Sequence, residues 1–187
     1  AAAATPVEYD LSGAVDITFS QSAVTAGDGV ETRGTKATVT APGAYRISGE
    51  SADGQLWVDV DKTESVTLYL DGLSLRSADS CPFVMEHGLV TVVLLDGTEN
   101  SLTDAADYAL SVTKDNTNVD GALFSKDSLT IKGEGSLTVT GSYQHGVVCK
   151  DALTLEGGSL TVTCVQDGLQ ANEGLTVTGG SVTVTAG

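Results

Sequence analysis

The chain has 187 residues, 25 of them acidic and nine basic, for a formal net charge of −16. That charge excludes nucleic acid and anionic membrane surfaces as direct partners, since affinity for either rests on Lys and Arg neutralising phosphates. A 41% hydrophobic content can fill a core, while 22 Gly, many Thr, Ser and Val and only 5% aromatics favour strands and turns, so the expected class is all-β.

In chain order, AAAATP (residues 1–6) reads as the tail of a small-residue linker. It lacks the charged and apolar regions of a signal peptide, so a removed leader or anchor is expected upstream. VDITFS and ATVTAPGAYRISG are strands, and residues 1–48 are read as a linker with irregular strands that cap the fold. LWVDV and VTLYLDGLSL alternate cleanly, placing Leu56, Val58, Val60, Val66, Leu68 and Leu70 inward. The polar stretch from Thr103 to Val119 is too long for a tight turn and is expected to project as a loop. No run approaches the ~18 apolar residues of a membrane helix.

From residue 120 the chain repeats itself. Asp120–Tyr143, His145–Val165 and Asp167–Gly187 align, with Gly121, Gly146 and Gly168 spaced 25 and 22 residues apart. A fixed period in this range marks a solenoid. Each repeat holds three short β-type runs, which predicts a parallel β-helix over residues 49–187, continuous with the cap as one domain. Interior columns follow: Leu129, Leu153 and Leu175; Leu137, Leu160 and Val182; Ser125, Cys149 and Ala171; Gly141, Cys164 and Ala186. Cys149 and Cys164 share columns with small residues, which favours buried thiols over a metal or catalytic role. The chain stops at TVTAG, a whole rung without a polar cap, so further coils are expected beyond it.

Several ordered motifs carry a resemblance: ATVTAPGAYRISGESADGQLWVDV, VTLYLDGLSLRSADS, LLDGTENSLTD and GALFSKDSLTIKG, then GSLTVTGSYQHGVVCKDALTLEGGSLTVT. Over residues 14–187 the chain resembles the carbohydrate-binding domain-containing β-helix proteins of clostridial and other gut Firmicutes. The resemblance implies a right-handed parallel β-helix related in fold to pectate lyases. It also implies bound calcium, and recognition of acidic pectin (polygalacturonate) and cellulose. An extracellular place at the cell surface follows, with lipoprotein anchoring through a removed segment, and a monomer is expected.

Candidate metal ligands come from carboxylate clusters, because calcium takes about six to eight oxygen ligands. Asn116-x-Asn118-x-Asp120-Gly121 reads as the first half of a calcium loop, or as an ordinary Asn/Asp turn. Asp127, Asp151 and Glu173 stack in a second column, where Lys126 and Lys150, or a cation, would offset the repulsion between like charges. Asp120, His145 and Asp167 form a third. Outward-pointing Trp57 and Tyr69 are candidate sugar platforms, or pack beneath the N-terminal strands.

The expected function is therefore a non-catalytic, calcium-dependent polysaccharide-binding module, with Trp57, Tyr69, Lys126 and Lys150 on the ligand and Asn116, Asn118, Asp120, Asp127, Asp151, Asp167 and Glu173 on the metal. Three alternatives stand beside it. Lys126 or Lys150 as a base would make a calcium-dependent lyase. A passive stalk needs no ligand. The threonine ladders Thr138/Thr161/Thr183 and Thr140/Thr163/Thr185 suit a regular surface such as ice.

Overall fold

A computed structural model describes residues 7–108 and 113–187. The linker expected over residues 1–6 lies outside them. No helix occurs among the described residues, as the β-branched and glycine-rich composition requires.

The strands run in chain order as β1 (Val15–Phe19), β2 (Val24–Ala26), β3 (Val30–Arg33), β4 (Lys36–Val39) and β5 (Gly43–Ser51). Then come β6 (Gln55–Asp59), β7 (Ser65–Arg76), β8 (Phe83–His87), β9 (Leu89–Leu94) and β10 (Glu99–Thr103). The repeats supply β11 (Gly121–Ser125), β12 (Leu129–Gly133), β13 (Ser136–Gly141), β14 (His145–Cys149), β15 (Ala152–Leu155) and β16 (Ser159–Cys164). The last coil is β17 (Leu169–Ala171), β18 (Gly174–Val177) and β19 (Ser181–Ala186).

Each repeat is one coil, and each strand pairs in parallel with its counterpart in the next coil. β11 pairs with β14 and β14 with β17; β12 pairs with β15 and β15 with β18; β13 pairs with β16 and β16 with β19. The four interior columns expected from the sequence appear in these registers residue for residue. Val90 stands beside Leu129, as the pattern predicted. Two sheets result, one of twelve strands and one of seven, in the order β17-β14-β11-β8-β6-β4-β3.

The first half reaches the same stacking by a different route. β7 is twelve residues long: Ser65–Leu70 pair with β9 and Ser74–Arg76 with β10. One bent strand thus does what later coils divide between two. Gly72 takes φ +73° at the bend, a conformation that costs residues with a Cβ. Inside the bend the buried Asn100 accepts a hydrogen bond from the Leu73 amide at 2.8 Å and donates to the Ser136 carbonyl at 3.0 Å. It stands in the column of Leu137, Leu160 and Val182. A polar side chain replaces an apolar one there because the bend leaves backbone groups unpaired.

Leu56, Val58, Val66, Leu68 and Leu70 are buried as expected. Each such side chain contributes about 1.5–3 kcal/mol of transfer free energy. All three cysteines are free and buried, and burial pushes each thiol's pKa up. In the last coil the same columns reach the surface: Leu175, Val177, Val182 and Val184 are 37–54% exposed.

The excursion after β10 corrects one expectation. Its described parts do not project; they fold back over the outer face of the seven-stranded sheet. Val84, Phe124 and Val148 point outward there yet are buried, clustered with Cys81 and Val119. Trp57 and Tyr108 pack against the cluster. Tyr108 stacks on Tyr143 at 4.2 Å and donates to Asp104 at 2.8 Å, pinning one end of the excursion. Three outward apolar residues in register (Val84, Phe124 and Val148) were the signal for that cover.

Candidate functional site

Beyond the covered cluster the same outer face stays open. The outward column of β4, β6, β8, β11 and β14 runs Thr38, Trp57, Val84, Phe124 and Val148. The excursion covers the last three, so Trp57 is left at the boundary, half-buried. Two adjoining hollows of about 580 and 470 Å³ share Trp57, Thr38 and Glu31. That is the size range of small-ligand sites.

The two hollows differ in charge. The first is walled by Arg33, Lys36 and Gln55. The second is walled by Asp59, Glu86, Thr113 and Lys114. Asp59 follows from alternation, two residues past Trp57. Glu86 follows from a bulge: Val58 faces Met85 but Asp59 faces His87, so Glu86 is the extra residue. Bulges re-aim side chains in this way. Glu86 is 1% exposed and accepts the Lys114 amide at 2.6 Å. The Lys114 ammonium forms an ion pair with Asp59, which raises the lysine's pKa.

The residues nominated from the sequence divide. Trp57 lies in the cleft. Tyr69 does not: it sits on the twelve-stranded sheet and packs against Tyr9, ring centroids 5.7 Å apart. Lys126 pairs with Asp115 at 2.7 Å, holding that carboxyl well below the usual carboxylate range. Lys150 lies 3.6 Å from Asp120 and 5.6 Å from the Phe124 ring centroid. Lys126 therefore braces the excursion and Lys150 the start of the first repeat, and neither pairs with the carboxylate column.

The metal candidates are likewise dispersed. Asn116 takes φ 64° in a turn closed by its amide to the Thr113 carbonyl, so its stretch is an Asn/Asp turn. Asp127 accepts the Gly88 amide at 3.0 Å and lies 3.3 Å from His87 Nδ1. Asp151 accepts from Ser128 at 2.7 Å and hydrogen-bonds Glu173, whose pKa that contact raises. Asp167 lies 3.3 Å from His145, and Asn118 is exposed. Among the described residues no three His, Cys, Asp or Glu side chains converge on a common metal position. The nominated carboxylates lie at separate places on the coils.

The family model described as "Carbohydrate-binding domain-containing protein" matches residues 33–187. The chain belongs to that family. A relative bearing the same description, from Acetivibrio thermocellus, is 35% identical over 136 residues, 72% of this chain and 47% of the relative. The chain thus matches about half the length of that protein. A solved structure, a gadolinium derivative of the polysaccharide lyase-like protein from C. thermocellum, superposes with a TM-score of 0.79 at 29% identity. It covers 92% of this chain and 82% of that one. The family match takes in Arg33, Lys36, β6 with Trp57, and β8, while Glu31, which borders both hollows, lies before it.

Sequence reading missed Arg33, Lys36, Asp59, Glu86 and Lys114. Glu86 carried a signal, as a lone carboxylate inside the apolar FVMEH strand. Lys114 carried none, because its place depends on how the excursion docks.

Proposed function

We propose that the protein is a non-catalytic polysaccharide-binding module of an extracellular, cell-surface protein, and that its binding site is the Trp57 cleft. The observation that carries this reading is a half-buried indole, backed by an apolar cluster, between two polar-walled hollows. An indole held from behind presents a rigid apolar face at low entropic cost, and the flanking polar groups can bond the hydroxyls at a sugar's edge. The stacked coils are read as a right-handed parallel β-helix, the hand that parallel crossovers take. An acidic glycan of the polygalacturonate kind is the proposed ligand, with cellulose the second.

The absence of catalysis is supported by the lysines. A lyase base must be open to its substrate, whereas Lys126 and Lys150 are each engaged by a carboxylate, Asp115 and Asp120. The calcium bridge expected from the sequence has no assembled cage in the nominated residues, so no step of this reading passes through the ion.

The test is retention on immobilised polygalacturonate and on cellulose, for the wild type and Trp57→Ala. Trp57→Ala should lose most retention, on the order of tenfold, with some thermal stability lost to missing packing and the fold intact by circular dichroism. Retention untouched by Trp57→Ala would overturn the cleft as the site. Unsaturated product absorbing in the ultraviolet would make the protein a lyase. Retention that depends on calcium would restore an ion bridge.

A further inference from the structure

Resting on the cleft as the binding site, we infer that the β3–β4 hairpin reads the acidic group of the glycan directly, through Arg33 and Lys36, without a metal ion. The hairpin places the two cations opposite each other: Arg33 and Lys36 are cross-strand partners around the turn at Gly34, whose φ is +61°. Like charges directly opposite on paired strands repel. Elsewhere among the described strands no two cations face each other in this way. Arg46, Lys114, Lys126 and Lys150 each have a carboxylate partner, while Arg76 and Lys132, which have no ion pair among the described residues, stand opposite Thr103 and Val93 and not opposite a second cation. Among the described residues Arg33 and Lys36 have no carboxylate partner, although acidic side chains outnumber basic ones 25 to nine.

Their position gives this repulsion a use. Both side chains are exposed and both line the hollow that Trp57 floors. The carboxylate on that wall, Glu31, stands opposite Thr38 and also borders the second hollow, where its charge acts on Lys114. A sugar ring stacked on Trp57 would bring a carboxylate substituent to the space between Arg33 and Lys36. There it relieves their repulsion and accepts charge-assisted hydrogen bonds, the guanidinium offering a planar fork. The remaining negative charge does not forbid this. Charges beyond about 8 Å are largely screened at physiological salt, so nearest neighbours decide the contact. An acidic protein then accepts an acidic ligand at its one doubly cationic turn.

The test compares a short galacturonate oligomer with its methyl ester, titrated by calorimetry in EDTA. The wild type should prefer the acid form, and that preference should fall as salt rises. Removing one cation, Arg33→Ala or Lys36→Ala, should weaken acid-form binding about threefold, and removing both about tenfold, with the methyl ester unaffected. Arg33→Lys should retain most of the preference, and circular dichroism should show each variant folded. Acid-form preference unchanged in the double variant, or present in wild type only when calcium is added, overturns the clamp while leaving the cleft standing. Equal binding of both forms by Trp57→Ala and wild type overturns the cleft itself. No binding of either form by wild type overturns both.

Discussion

The two outer faces of the molecule make opposite use of the same repeat. On the twelve-stranded sheet, β13, β16 and β19 stack without interruption, and Ser136/Ser159/Ser181, Thr138/Thr161/Thr183 and Thr140/Thr163/Thr185 form straight hydroxyl ladders. Adjacent coils are about 4.8 Å apart, so the ladders are evenly spaced. On the seven-stranded sheet the repeat is broken three times: by the bulge at Glu86, by the β3–β4 hairpin, and by the excursion that folds over Phe124. Each break adds a wall to the Trp57 cleft. Regular stacking makes a rigid, featureless surface, and concavity arises where it fails.

The strongest way to break this comparison is at the seam between the halves. Gly133 ends β12 with φ +113°, and a Cβ there would lie 2.1 Å from the Leu94 carbonyl oxygen. Backbone cannot move aside cheaply in a stacked sheet. Gly133→Ala should cost about 3 kcal/mol or more, read as a fall in the urea midpoint. Gly72→Ala has positive φ but open space around it, and should cost only about 1 kcal/mol. Equal losses would show that strain, and not the collision with β9, governs the seam.

Asn100 is the next point of leverage. Asn100→Leu would make its column uniform with Leu137 and Leu160, but it strands the Leu73 amide and the Ser136 carbonyl. The expected loss is about 1–3 kcal/mol, despite the gain in apolar area. A more stable variant would mean that the bend in β7 can close without its polar plug.

These seams explain what the sequence disclosed and what it withheld. The columns over residues 120–187 were legible because a period of 22–25 residues puts equivalent side chains in register whatever the turns between them. The alternation in LWVDV correctly aimed Trp57 outward, since a period of two fixes facing within one strand. What alternation cannot say is which outward residues are covered later. Tyr69 and Trp57 look alike in sequence, yet Tyr9 packs on one and a hydrophobic cluster backs the other. Lys126 and Lys150 fell in register with carboxylates of their own column, but Lys150 pairs with Asp120, at the start of the first repeat, and Lys126 with Asp115, in the excursion. Its docking depends on long-range packing that no local pattern encodes.

That docking carries a pH signature. Asp104 is buried, and desolvation raises its pKa despite hydrogen bonds from Tyr108 and the Ser142 amide. The folded chain therefore holds that proton more tightly than the unfolded one. Its contribution is complete below the ordinary carboxylate value and is lost as pH rises through the raised one. Asp115, at the other end, has the opposite sign: its lowered pKa gives a contribution lost as pH falls. Thermal unfolding scanned upward from about pH 4 should show the declining limb in wild type and a flatter one in Asp104→Asn. An unchanged slope in that variant would assign the pH dependence to another group.

The smallest expected effect is the sharpest check on the comparison. Thr161 stands in the middle coil of its ladder, exposed, with Thr138 on one side and Thr183 on the other. If the flat face is only a well-formed sheet surface, Thr161→Lys should change stability by no more than about 0.5 kcal/mol and leave polysaccharide retention as in wild type. The long side chain would nevertheless stand in the way of any extended surface laid along the ladders. A loss of retention equal to that of Trp57→Ala would therefore place a binding surface where the repeat is most regular, and would remove the reason for assigning function to its breaks. Unchanged retention leaves the indented face as the one that holds the glycan, because only there do an aromatic floor, a bulge-aimed carboxylate and two unanswered cations meet.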